Sequence, residues 1–261
     1  MDLRDIVREH PDTVVGHKAV SESLNTRKEI KRFAKDPLKN LISVIDDSHS
    51  EFTKGDIGRY VQAFRWYSLC LRRALTHISV ARRADVELSY HPRNEKYSSR
   101  QKKLSAKRNE IGPYLELDYQ NLIIHSCILL DRVISLSRRF LNGPNLPSFT
   151  SFNKHKQFLS KNANALNPNH VGYTQYITEK TDWFEIPLKV LRDKFLMHSS
   201  ERHMSFLGWG ESNWDLDMLT MIPAAKEQDK LLEKVKVINF TPRRLARDME
   251  SFLHWFDKYW S

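Results

Sequence analysis

Apolar residues fall at three-, four- and seven-residue intervals along most of this chain, the mark of helices with one buried face. Residues 18–46 carry two short patterns of this kind. Ile30, Phe33 and Ala34 define one, and Leu38, Leu41, Ile42 and Ile45 the other. Asp36-Pro37 separates them, because the residue before a proline is pushed out of the helical region. From Asp56 to about Tyr90, Ile57, Val61, Phe64, Leu71, Leu75 and Ile78 repeat at the same intervals. A helix of that length spans ~50 Å and predicts the scaffold element of a bundle. His91-Pro92 ends it.

The next stretch, RNEKYSSRQKKLSAKRNE, holds seven Lys or Arg against two Glu and predicts a polar arm. Arg93, Arg100, Lys102, Lys103, Lys107 and Arg108 are its candidate phosphate contacts; the competing reading is a solvated loop. A second long helix is predicted from Pro113, a first-turn proline, to the stop Asn142-Gly143-Pro144. Its centre, Leu122 to Leu136, includes His125, Asp131 and Arg132, so it is too short and too polar for a bilayer span of ~20 apolar residues. His125 reads as a hydrogen-bonded core histidine and Asp131 as a buried ion-pair partner.

Phe152 to Leu159 predicts a short helix, followed by an asparagine-rich turn, NANALNPNH. Asp182, with Glu185 three residues on, opens a helix through Leu188, Leu191 and Phe195 to about His198, with Pro187 in its early turns. The stretch SSERHMSFLGWGESNW breaks the period and predicts a loop packed by Trp209 and Trp214, rings that could instead stack on unpaired bases. Residues 218–222 and 234–240 suggest a small β-hairpin. Thr241-Pro242 is a cap and first-turn pair for the last helix, whose Leu245, Met249, Phe252, Phe256 and Trp260 form one stripe. The predicted fold class is all-α: an antiparallel helical bundle over 56–261, an N-terminal helical extension over 1–55, and a hairpin before the last helix.

Composition narrows the function classes. The 261 residues are 40% hydrophobic, enough for a sizeable core, and only 8 are Gly where average use of about 7% would give roughly 18. That scarcity disfavours glycine-rich nucleotide cradles. Cys70 and Cys127 sit in apolar runs and not in C-x-x-C pairs, and the opening MDLRDIVREHPD has no apolar signal segment. A cytoplasmic protein without a membrane segment is expected. The formal charge of +10 favours an anionic partner such as nucleic acid.

No P-loop, G-x-G-x-x-G, G-x-S-x-G or H-E-x-x-H pattern occurs, nor any metal-ligand spacing, so neither a cofactor nor a metal is expected. What the sequence does offer is Arg192, Asp193 and His198 at the predicted end of one helix. A guanidinium stays charged and forks onto phosphate oxygens, while an imidazole exchanges a proton near neutral pH. Together they supply what RNA phosphodiester cleavage needs without a metal: an acid or base at the reacting oxygens and a cation for the developing charge. Asp193 would orient them. Similar spacings at Arg4–His10, Arg72–His77 and Arg247–His254 are weaker. The first lies at an unanchored terminus, the second falls mid-helix, and the third rides opposite the apolar stripe.

The stretch LRDKFLMHSSERH resembles the Arg-x4–6-His motif of the HEPN superfamily (higher eukaryotes and prokaryotes nucleotide-binding domain), in its abortive-infection-like form. The resemblance covers the motif and, more loosely, the bundle from Asp56 onward. It implies a bundle of four or five helices that forms a homodimer with two motifs facing one cleft. It further implies metal-independent endoribonuclease activity in a toxin–antitoxin or phage-defence setting, with a cognate antitoxin as a possible partner, or else a non-catalytic relative that binds RNA or nucleotides or serves as a dimeric scaffold. Arg139 and His203 would add positive charge beside the motif.

Overall fold

The computed structural model describes residues 25–33, 35–46, 51–89, 98–138, 140–141, 151–162, 168–193, 220–223, 235–238 and 240–261. The fold is an all-α bundle. Its helices are α1 (25–33), α2 (Lys39–Asp46), α3 (Glu51–Ser89), α4 (Ser99–Ser137), α5 (Phe152–Lys161), α6 (Val171–Glu179), α7 (182–193) and α8 (Pro242–Trp260). The expected hairpin is present as β1 (Thr220–Pro223) and β2 (Val235–Ile238), antiparallel, with Thr220 opposite Ile238 and Pro223 opposite Val235.

Helices α3 and α4 form the scaffold, 39 residues each and ~58 Å long at 1.5 Å per residue. They run antiparallel: Trp66 meets His125, His77 meets Asp118 and Asp85 meets Arg108, so partner numbers fall as residue numbers rise. Tyr67, Leu71, Leu75 and Ile78 of α3 are buried with Leu115, Leu122, Leu129 and Val133 of α4. Each such side chain contributes ~1.5–3 kcal/mol on burial.

The second long helix starts earlier than Pro113. Ser98 closes a capping box, its hydroxyl accepting from Gln101 N at 3.3 Å while Gln101 Oε1 accepts from Ser98 N at 2.8 Å. Residues 99–110, expected to be a polar arm, are therefore the first three turns of α4. Pro113 lies inside the helix, where its ring removes one backbone bond but faces out. At its other end the helix closes at Ser137, one turn before the predicted stop, and Asn142-Gly143-Pro144 lies outside the described residues.

Helix α5 matches its prediction, whereas α6 follows directly on the asparagine-rich turn and has no counterpart in the sequence reading. Aromatic contacts hold α6 to α8, with Tyr176 and Trp255 stacked at 3.6 Å and 3°. Thr241 caps α8, accepting from Arg244 N at 3.1 Å, and all five stripe residues of α8 are buried.

The N-terminal helices share this core. Phe33, Leu38, Leu41 and Ile45 are buried in one cluster with Leu245, Phe252 and Phe256. Polar ties reinforce the contact: Arg243 Nε donates to Glu29 at 2.8 Å, Arg32 forks onto Glu250, and Asp257 accepts from Leu41 N and Asn40 Nδ2, each at 2.8 Å. Asp257 thus caps the first turn of α2 from another helix.

Candidate functional site at Arg192

Helix α7 opens at Asp182, and over Phe184–Lys189 its turns are π-helical. Pro187 lies in that stretch; a proline has no N–H for the usual bond four residues back, and a wider turn accommodates the defect. Leu188 and Leu191 are fully buried and anchor the helix against the core, so Arg192 and Asp193 emerge where α7 packs on α4. Arg192 Nε donates to Asp193 Oδ1 at 2.6 Å, with both side chains half-buried.

Two groups of α4 complete the site. Burial pushes the Cys127 thiol up to about 12, against the pull of Arg192, which hydrogen-bonds it; this thiol is not a thiolate nucleophile. Asp131 accepts from Phe152 N at 2.7 Å, supplying the cap of α5 that Ser151 does not. Burial raises the Asp131 carboxyl above its ordinary range, although the Phe152 N–H, Arg192 and Arg132 all oppose the shift. Burial by itself would lower the Arg192 pKa, but the Asp193 hydrogen bond and the nearby Cys127 and Asp131 raise it above the ordinary guanidinium value. The site is a permanently charged arginine framed by two carboxylates at the mouth of a buried seam.

Of the other site residues expected from sequence, His198, His203, Arg139 and Arg93 lie outside the described residues. The basic cluster divides. Lys102, Lys103 and Lys107 are exposed on α4, Arg100 is half-buried, and Arg108 is committed to Asp85, its Nε 2.8 Å from both carboxylate oxygens. His125 is half-exposed and stacked on Trp66 at 6.0 Å and 17°, not a core histidine, and burial lowers its pKa. Among the described residues, no three His, Cys, Asp or Glu side chains gather as a metal site, and no helix is long and apolar enough to cross a membrane.

One cluster escaped the sequence reading. Asp118, 2% exposed, takes Arg73 Nη2 at 3.0 Å and His77 Nδ1 at 2.5 Å. The legible signals were a carboxylate on the apolar face Leu115–Tyr119–Leu122 and an Arg–His pair four residues apart on α3. Between α1 and α8 lies a small cleft with Arg32, Tyr67, Glu250 and His254 on its walls, and Arg32 is closed onto Glu250.

The chain matches no protein-family profile, no curated protein and no solved structure.

Proposed function

We propose that this protein is a HEPN-type endoribonuclease that works without a metal, in a toxin–antitoxin or phage-defence role in the cytoplasm. In this reading Arg192 holds the scissile phosphate, His198 serves as acid or base, and Asp193 orients the arginine. The observation that carries it is the Arg192–Asp193 pair, joined at 2.6 Å and half-buried on the π-helical turn 191–193, with His198 six positions beyond Arg192 in the sequence. A charged fork fixed by a neighbouring carboxylate is preorganised for phosphate, and π-helical turns recur at functional sites. A homodimer would set two such pairs across one cleft, and an antitoxin would cover them.

The test is RNA cleavage by purified protein in a chelating buffer, with His198→Ala alongside. The intact protein shortens RNA and the variant, with unchanged circular dichroism, does not; equal degradation by both rejects the assignment. A second reading, a non-catalytic RNA-binding module, draws on the two carboxylates that already occupy the surroundings of Arg192. It predicts binding that weakens steeply with salt while RNA length stays unchanged.

A further inference from the structure

The outer face of the α3–α4 hairpin carries an unusual mixture. Trp66 of α3 is 48% exposed, Tyr114 and Leu117 of α4 are 45% and 46% exposed, and Leu69 and Ile128 are open beside them. These are not scattered. Lys103, Lys107, Tyr114, Leu117, Ile128 and Arg132 follow one another at spacings of 4, 7, 3, 11 and 4 residues, which is one face of α4. Trp66, Leu69 and Arg73 do the same on α3, at spacings of 3 and 4. Ring contacts join the two stripes across the seam, Trp66 on His125 at 6.0 Å and Tyr114 on His77 at 6.0 Å.

The charges on this face are mostly of one sign. Lys103 and Lys107 stand near one end of the α4 stripe and Arg132 at the other. The carboxylate beneath the seam, Asp118, is paired with Arg73 and hydrogen-bonded to His77, and Glu110 is the exposed carboxylate of the stripe. A second copy of the chain fits this pattern badly. A two-fold axis at the middle of the stripe would bring Lys107 of one copy toward Arg132 of the other, and a parallel arrangement would set Lys107 on Lys107. Either opposes like charges, which costs specificity and affinity. A polyanion with flat apolar groups fits both the cations and the rings.

We propose that this face is a track for single-stranded RNA, with unpaired bases stacked on Trp66 and Tyr114 and the phosphates met by Lys103, Lys107 and Arg132. The inference rests on the RNA reading above and places binding on a surface separate from the Arg192 pair. The track is ~38 Å long from Lys107 to Arg132 at 1.5 Å per residue, enough for several nucleotides. It would hold a strand while the Arg192 site acts on it.

Fluorescence anisotropy with a labelled 12-nucleotide 2′-O-methyl RNA, which resists cleavage at the 2′ position, tests this directly. Trp66→Ala and Tyr114→Ala should each weaken binding about tenfold, Trp66→Phe should keep most of the affinity, and a duplex of the same sequence should bind several-fold more weakly. Lys103→Glu with Lys107→Glu should flatten the salt dependence. Sedimentation of the same variants separates the rival occupant. Ring variants that dissociate a dimer yet bind RNA as the intact protein does would make this face a copy interface and overturn the track. If the intact protein cleaves RNA and the ring variants bind it equally well, the track falls and the nuclease stands; if the intact protein neither binds nor cleaves RNA, both fall.

Discussion

His155 should make this protein acid-labile in a way that one substitution removes. The ring is completely buried between α5 and α6, and its Nε2 lies 3.0 Å from the Tyr173 hydroxyl, which donates to Ser137 Oγ at 3.3 Å, which donates to Ile134 O at 2.8 Å. With the hydroxyl donating to Ser137, Nε2–H points at the Tyr173 oxygen, and burial keeps the imidazole neutral. Burial depresses its pKa to about 3, whereas in the unfolded chain it titrates near 6.5. Because the folded value is the lower one, stability is full above pH 6.5 and is lost as pH falls, since the unfolded chain takes a proton that the folded one refuses. Integrating between those values gives a loss of roughly 3 kcal/mol on going from pH 7.5 to 4.5, a large part of the ~5–15 kcal/mol typical of a domain. Urea unfolding of the intact protein and of His155→Gln at pH 7.5, 6.5, 5.5 and 4.5 measures it. The variant is less stable at pH 7.5 through lost packing, but the gap should close by roughly 3 kcal/mol at pH 4.5, because carboxylate contributions cancel in the difference. A gap that stays constant with pH refutes the argument.

Substitutions at three further positions test other joints. Pro113→Ala removes an outward-facing interior helix proline, and the ~3 kcal/mol recovered, less ~1 for the freer unfolded chain, should raise the melting temperature by about 4 °C. No rise would mean that Pro113 does not sit in a helical turn. Asp257→Ala strands the buried Leu41 N–H and should cost about 1–3 kcal/mol, with Asp257→Asn costing less because an acceptor remains; equal melting of the two variants would contradict the capping role. Arg192→Lys keeps the charge but neither the Nε donor that Asp193 holds nor the planar terminal donors, so under the nuclease reading RNA cleavage should drop at least about 100-fold while stability changes by only about 1 kcal/mol, and full activity in that variant would remove Arg192 from the chemistry.

The long helices were legible because each buries one apolar face over many turns, and Thr241-Pro242 declared the start of α8 in side-chain chemistry alone. The start of α4 was misplaced for a physical reason. Its first turns have few apolar residues, and a proline normally opens a helix, so the pattern points to Pro113, whereas the cap is the Ser98–Gln101 box that the structure shows. Tertiary support on the α3–α4 seam, including Arg108 on Asp85 and the buried Leu104, lets the helix run through both. Helix α6 was missed because its buried face is Tyr173, Thr174 and Ile177, too short and too polar to show a period. Its stability comes from Trp255, Tyr259 and Trp260, which lie some 80 residues away in sequence. At the candidate site the Arg–Asp adjacency was visible, whereas the part played by Asp131 and Cys127 depends on how α7 crosses α4.

That crossing bears on how an arginine already engaged by carboxylates could serve in RNA cleavage. A guanidinium has five N–H donors; Asp193 takes the one on Nε and Cys127 another, which leaves terminal N–H groups for a phosphate. The nearby Asp131 disfavours a second anion in the resting state, so a phosphodiester carrying one negative charge gains little by binding there. Under the nuclease reading the pentacoordinate species formed during transesterification carries more negative charge on the same oxygens, so attraction to Arg192 and repulsion from Asp131 both grow toward the transition state. Asp131→Asn should therefore tighten binding of uncleaved RNA and raise the cleavage rate by a larger factor, because the more highly charged species is relieved more; unchanged affinity and rate would leave Asp131 with only its cap on Phe152.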